Sequence, residues 1–265
     1  MLQLASLGSG SRGNATLIRS QECCVLADCG FSLREVCRRL ERVNLDPRSI
    51  DAICVTHEHG DHTAGVGALA RELAIPVYLS YGTAASGRIA DGAELRCFNA
   101  GDDFAIGDIH VQSVAVPHDA REPVQYRLEA GDCSVGLLTD LGAVTAHVQT
   151  LYQDCDALVL EFNHEPALLD AGPYPAKLKR RIGGALGHLS NLQAAAFLQC
   201  LDQARLQTLV LAHASEENNT EQHARAALTR VAPDINERAQ WASQSCGVPW
   251  FTVSTDTPRW HRGAR

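Results

Sequence analysis

The densest chemistry in the chain lies in Thr56-His57-Glu58-His59-Gly60-Asp61-His62, which packs three imidazoles and two carboxylates into seven residues. Neutral imidazole nitrogens bind zinc, iron, manganese and similar divalent ions, and carboxylates add charge and hardness. Two histidines separated by one residue can reach one ion from an extended loop. The Asp-His pair that follows can turn toward a second. The alternative is a polar loop that happens to be rich in histidine. With 11 histidines in 265 residues, three within six positions argue against chance.

The flanking segments place this cluster. Ile50-Asp51-Ala52-Ile53-Cys54-Val55 is short, apolar and rich in β-branched residues, and predicts a buried strand. Ala64, Val66, Leu69, Ala70 and Leu73 follow at helical spacing. The histidines therefore fall between a strand's end and a helix's start, where open α/β sheets bind ligands. Three further predicted strands also run into a potential ligand: 109–116 before His118, 133–138 before Asp140, and 208–211 before His213. Taken singly, these are a turn residue, a helix cap and a hydrogen-bonded buried histidine. Their shared position at strand ends predicts convergence on one rim of a sheet.

Elsewhere, residues 2–7, 15–19 and 23–27 predict strands, the third closing on Asp28. An aspartate there can orient a metal ligand by accepting its second ring N–H. The intervening Gly8-Ser9-Gly10-Ser11-Arg12-Gly13-Asn14 is either a hairpin turn or a lining of the site. Lacking a following helix, its G-x-G is no dinucleotide fingerprint. Residues 32–43 predict an amphipathic helix with Arg34, Arg38, Arg39 and Arg42 on a solvated face. Further strands are expected at 75–80, within 95–116, and at 124–130, 158–160 and 250–253. Helices are expected at 192–204 and 221–231, a short helix or turn at 83–89, and a loop at 166–175. Beyond residue 230 little else is assigned. Strands, then helix, then strands again predict one α/β domain over 1–265, built from two similar halves.

Bulk properties narrow the function. A hydrophobic content of 45% can build a real core, and no apolar run approaches the ~18 residues of a membrane span. The N-terminus has no signal-peptide pattern, so a cytoplasmic location is expected. Ten cysteines without a C-x-x-C pair read as small buried hydrophobes in a reducing compartment. Cys23-Cys24 and Cys29 match no familiar zinc spacing. The net charge of −8 gives no support for non-specific nucleic-acid binding, although it leaves room for a local basic patch.

The H-x-H-x-D-H spacing, followed by His118, Asp140 and His213 in that order, resembles the metallo-β-lactamase fold hydrolases. The resemblance implies a four-layer αββα sandwich and two divalent metal ions, zinc or manganese, with iron as a further option. One ion would be held by His57, His59 and His118, the second by Asp61, His62 and His213, with Asp140 bridging. Such a pair, about 3.5–4 Å apart, can hold a hydroxide at neutral pH and clamp the charge on a phosphate. Residues 6–17, Glu161-Phe162-Asn163-His164, Gly172-Pro173-Tyr174-Pro175, Gly187-His188-Leu189-Ser190-Asn191 and His213-Ala214-Ser215-Glu216-Glu217-Asn218-Asn219 look like the YycJ/WalJ-like branch. Phe162, Glu165 and Ala214 depart from that branch's pattern. The branch implies a 5′ to 3′ exonuclease acting on DNA.

The His188 segment also resembles that of ribonuclease Z, which implies that His188 contacts the scissile phosphate and helps protonate the leaving oxygen. Asp61 and His188 are thus the expected catalytic residues. Ser190 or Asn191 would equally serve as a helix cap. The basic run Lys177, Lys179, Arg180 and Arg181 is the best candidate for strand phosphates on an acidic chain, and Tyr174 for base stacking. Each reads alternatively as a solvated face or loop packing. His164, Ser190 and Asn191 complete the expected substrate contacts. Two other functions stay open: a small-substrate hydrolase of the same fold (a thioesterase, lactonase or cyclic-nucleotide phosphodiesterase), and a non-catalytic metal-binding regulator. No membrane partner is expected, and a homodimer is allowed.

Overall fold

The computed structural model describes residues 1–89 and 92–255. Its strands form two sheets. The first contains β1 (Leu2–Gly8), β2 (Ala15–Arg19), β3 (Cys24–Ala27), β4 (Ala52–Cys54), β5 (Val77–Ser80) and β6 (Leu95–Phe98). The second contains β7 (Asp103–Ile106), β8 (Ile109–Ala115), β9 (Val124–Ala130), β10 (Cys133–Leu138), β11 (Ala157–Glu161), β12 (Thr208–Ala212) and β13 (Gln240–Trp241). A last strand, β14 (Val248–Val253), returns to the first sheet beside β1. The spatial orders are β14-β1-β2-β3-β4-β5-β6 and β13-β12-β11-β10-β9-β8-β7. In each sheet antiparallel pairing gives way to parallel pairing, after β3 in the first and after β10 in the second.

The helices are α1 (Leu33–Arg42), α2 (Gly60–Thr63), α3 (Val66–Leu73), α4 (Tyr81–Ala84), α5 (Ala146–Tyr152), α6 (Pro166–Ala171), α7 (Ala176–Ile182), α8 (Asn191–Leu198), α9 (Glu221–Thr229) and α10 (Pro233–Arg238). The layering follows from side-chain alternation. On β11, Ala157 and Val159 face the other sheet, while Leu158 and Leu160 pack against helices. On β12, Val210 and Ala212 face inward, and Leu209 and Leu211 outward. Small or branched residues between the sheets let them approach closely, and leucines fill the space under the helices. α1 and α3 cover the first sheet, and α5, α8, α9 and α10 cover the second. The result is the αββα sandwich with two similar halves. No helix among the described residues is long and apolar enough to cross a membrane.

Several local expectations change. Residues 166–175 are not all loop, because Pro166 starts α6, where its fixed φ suits the first turn. α8 ends at Leu198 rather than near 204, since the chain turns back and the Asp202 N–H donates to the Gln153 carbonyl at 2.8 Å. Residues 95–116 form three strands that belong to different sheets, β6 edging one and β7 the other. α5, α7 and α10 carry no strong sequence signal. The one-domain expectation runs to Arg265, but residues 256–265 lie outside the described residues.

Arg39 departs from the expected solvated face of α1, on which Arg34, Arg38 and Arg42 are exposed. Only 7% exposed, it stacks on Phe31 and donates to the carbonyls of Leu7 (2.6 Å) and Gln244 (2.9 Å). Helical spacing alone cannot show that the segment before β14 folds over this side of α1. Arg39→Met is expected to cost about 1–3 kcal/mol, because it leaves the Gln244 carbonyl unpaired and the Leu7 carbonyl with only the longer bond from Arg42 at 3.4 Å. Urea unfolding of the variant reads this directly, and a loss under about 0.5 kcal/mol would mean that water satisfies them. Glu35, beside Arg38 and Arg39, has its carboxyl pulled down to about 2, chiefly by the hydrogen bond from Arg38. A depressed carboxylate contributes stability above its unfolded value near 4.5 and loses it as pH falls toward 2. The thermal midpoint of Glu35→Gln should therefore fall less steeply across that window than that of the parent chain.

Candidate metal centre

The strand ends converge as the sequence predicts. Parallel register sets Ala27 beside Cys54, so Asp28 lies next to Thr56. Register likewise sets Leu138 beside Leu160 and Glu161 beside Ala212, which brings Asp140, Glu161 and His213 together. Asp28, Asp140 and His213 each adopt a left-handed backbone, with φ of 60°, 56° and 49°. Such conformations are costly for residues with a side chain, and cluster at functional sites.

Four of the five histidines are each aimed by a hydrogen bond on Nδ1. Asp28 Oδ2 accepts from His62 Nδ1 at 2.7 Å and from the Thr56 hydroxyl at 2.9 Å. The Thr56 oxygen in turn accepts from His57 Nδ1 at 2.9 Å. His118 Nδ1 donates to the Gly187 carbonyl at 3.1 Å, and His213 Nδ1 to Glu161 Oε1 at 3.2 Å. These bonds turn Nε2 of all four rings inward, as outer hydrogen bonds do for metal-binding histidines. His59 presents Nδ1 instead, 2.9 Å from His57 Nε2 and 3.3 Å from His118 Nε2.

Four groups of donor atoms result among the described residues: His57, His59 and His118; Asp61, His62 and His213; His57, His62 and Asp140; and Asp140, Glu161, His188 and His213, each with its ligand atoms within 4.8 Å of one another. Asp140 lies between the first two, with Oδ2 3.1 Å from His62 Nε2 and Oδ1 3.3 Å from His213 Nε2. Buried atoms Asp140 Oδ2 and His213 Nε2 have no hydrogen-bond partner. Orphaned buried polar atoms are expensive. Together with the mixed imidazole and carboxylate donors, they fit divalent cations. The electrostatics agree. Burial pushes His213 down, but Asp140, Asp61 and Glu161 outweigh it and raise its imidazole to about 10. The field at this point strongly favours positive charge. Burial and the neighbouring His62 hold His57 well below its usual range, so it stays a neutral ligand.

The glycine-serine loop lines the centre rather than forming a simple hairpin. The Asn14 backbone N–H donates to the Asp61 carbonyl at 2.8 Å, and its amide lies 3.2 Å from His62 Nε2. Ser9 Oγ accepts from the His213 backbone N–H at 2.8 Å. Gln244, from the segment unassigned by sequence, donates to Gly13 O and accepts from Arg12 N. Gly30 allows the close approach of this region, since a Cβ there would lie 1.8 Å from the Asp61 carbonyl. Gly30→Ala should therefore reduce metal retention on dialysis, while retention equal to the parent's would mean the loop is not a support.

The comparisons with known proteins agree with this geometry. Residues 24–214 match the family model described as a beta-lactamase superfamily domain. The chain is 34% identical over 261 residues to exodeoxyribonuclease WalJ of Streptococcus pneumoniae, covering 95% of this chain and 94% of that one. It is 34% identical over 235 residues to exodeoxyribonuclease YycJ of Bacillus anthracis, covering 87% and 89%. The chain belongs to the beta-lactamase superfamily, in its WalJ/YycJ branch. Among solved structures, the metallo-β-lactamase fold protein YhfI from Bacillus subtilis aligns with a TM-score of 0.71 at 16% identity, over 94% of this chain and 98% of that one. The short form of human tRNase Z aligns at 0.65 with 18% identity, over 95% and 99%.

Glu161 is the site residue that the sequence reading of this superfamily chain missed. It is fully buried, and its Oε1 accepts from His188 Nδ1 at 2.7 Å as well as from His213. Its other oxygen accepts from the Leu141 and Leu189 backbone N–H groups. The available signal was a carboxylate ending a buried parallel strand, the same signal that singled out Asp28. Burial works against a charged His188, but the Glu161 carboxylate outweighs it and raises the imidazole. The His188 side chain is 18% exposed, so its far edge meets solvent.

The expected substrate contacts divide. Arg181 pairs with Asp119, the neighbour of His118, and so lies at the rim of the centre. Lys179 Nζ donates to the Asp170 carbonyl at 2.6 Å. Lys177 is exposed, and Tyr174 half-buried. Asn191 does not face substrate: it is fully buried, exchanging hydrogen bonds with Asn219. Ser190 caps α8 in a capping box with Gln193. Cys23, Cys24 and Cys29 take no part, as their spacing leads one to expect: none of the candidate metal groups among the described residues contains a cysteine, and burial pushes these three thiols up to about 12.

Proposed function

We propose that the chain is a metal-dependent DNA exonuclease of 5′ to 3′ polarity. The observation that carries this is the combination of a two-group histidine-carboxylate centre with His188, held by Glu161 beside it. The names of the WalJ and YycJ relatives support DNA as the substrate. His57, His59 and His118 would hold one ion, Asp61, His62 and His213 the other, with Asp140 shared. When bound, such divalent ions supply an acidified water and neutralise charge on the phosphodiester. The chain's own residues do the rest. Glu161 fixes the Nδ1 proton of His188, so Nε2 faces outward and can carry a proton to the leaving oxygen. Asp28 and Thr56 keep His57 and His62 from turning. Arg181 and Lys177, at the rim and on the surface of α7, contact strand phosphates. Ten free cysteines are consistent with a reducing, cytoplasmic location.

The net charge of −8 favours a second reading, a small-substrate hydrolase. One experiment separates them: the protein with manganese or zinc is given end-labelled linear DNA, a chromogenic phosphodiester and a thioester. The nuclease reading expects stepwise shortening from the 5′ end. Intact DNA under every metal, alongside hydrolysis of a small ester, would replace it with the second reading.

A further inference from the structure

Beside the metal centre lies a second concavity that the proposed chemistry leaves unused. The continuation of β11 and the segment entering α8 run side by side, with Asn163 N–H donating to Leu189 O at 3.1 Å and Asn191 N–H to His164 O at 2.9 Å. One end of this pair carries Glu161 and His188, which belong to the centre. The other end carries His164 and Ser190, which line a groove of about 430 Å³ closed by α6 and α7. The groove is thus separated from the reacting groups by only a few residues of backbone.

The polar lining consists largely of hydrogen-bond donors. Arg180 makes no ion pair among the described residues, so its guanidinium fork is available. Lys179 uses one Nζ proton on the Asp170 carbonyl and keeps two. Gln193 has committed its amide oxygen to the Ser190 backbone N–H and hydroxyl, which leaves its NH2 turned out as a donor. His164 is 3% exposed, and its buried Nδ1 has no partner. The carboxylate in the lining belongs to Asp170, which is exposed. An unpartnered buried imidazole among unspent donors and two cations calls for an anion with several acceptor oxygens. A phosphate monoester offers three terminal oxygens and two charges, where an internal diester offers two oxygens and one charge.

We propose that this groove receives the terminal 5′-phosphate of the DNA strand, so that the enzyme engages strand ends and prefers phosphorylated ones. The inference rests on the exonuclease reading and adds what selects the end. Arg180 and Lys179 supply the charge, while Gln193 and His164 fix the orientation.

The test uses 3′-end-labelled linear duplexes that are identical except for a 5′-phosphate or a 5′-hydroxyl. The parent chain should show a kcat/KM higher by roughly tenfold or more on the phosphorylated end, the size expected of one or two charge-assisted hydrogen bonds. In Arg180→Ala and in the Lys179→Ala, Arg180→Ala pair the ratio should fall toward one, mainly through a higher KM on the phosphorylated duplex. Circular dichroism confirms that the variants are folded. Equal rates on both duplexes in the parent chain would overturn the proposal. So would variants that slow both ends alike and keep the ratio, which would assign the groove to an internal phosphate. No breakdown of either duplex, with bis(p-nitrophenyl) phosphate still cleaved, would sink the nuclease reading and this site with it.

Discussion

Asp140→Asn is expected to lower turnover about a thousandfold or more, a loss of roughly 4 kcal/mol of transition-state stabilisation. Bound metal should drop below the parent chain's content. The reason is position. Asp140 is 2% exposed and lies within 3.1–3.8 Å of His62, His118, His188 and His213. Its carboxyl is held well below its usual range, since the histidines around it outweigh the opposing effect of burial. Asparagine keeps the shape but removes the charge and half of the acceptor capacity. Elemental analysis of dialysed protein, with circular dichroism to confirm folding, gives the stoichiometry. Parental metal content together with parental turnover would remove Asp140 from the centre.

The second large effect is expected at His188. His188→Ala should lower kcat by about 10²–10⁴-fold on DNA, the usual worth of a positioned general acid, while metal content stays at the parental level. A good leaving group needs little protonation. On a thymidine phosphate p-nitrophenyl ester the same variant should therefore lose less than about tenfold. This contrast separates proton delivery from structural damage, which would slow both substrates alike. Loss of metal would instead make His188 a ligand. Glu161→Gln is expected to show both symptoms, slower cleavage of DNA and weaker metal retention, because one carboxylate oxygen serves His188 and His213 together.

The tail of the chain has a structural part in this. Gln244 and the carbonyl that Arg39 caps tie the region before β14 to the glycine-serine loop, and that loop holds Asp61 and His213. Substitutions far from the histidine cluster in sequence, such as Gln244→Ala, therefore bear on the centre through backbone support.

By itself the sequence determined the histidine cluster, because spacing within one loop brings its nitrogens together whatever the rest of the fold does. It also determined the layered α/β architecture. Continuous apolar strands such as Thr208–Ala212 are stable only when covered on both faces, and amphipathic helices such as Leu33–Arg42 supply the cover. His118, Asp140 and His213 were legible as strand ends, but their meeting at one point depends on sheet order. The tertiary structure alone decided which side chains are spent on one another. Glu161 joined the site because parallel register sets it beside His213. Asn191 left it because Asn219 meets its amide. Arg39 became a buried anchor because a distant segment covers α1. Each of these depends on which segments become neighbours, and local periodicity reports only the few residues on either side.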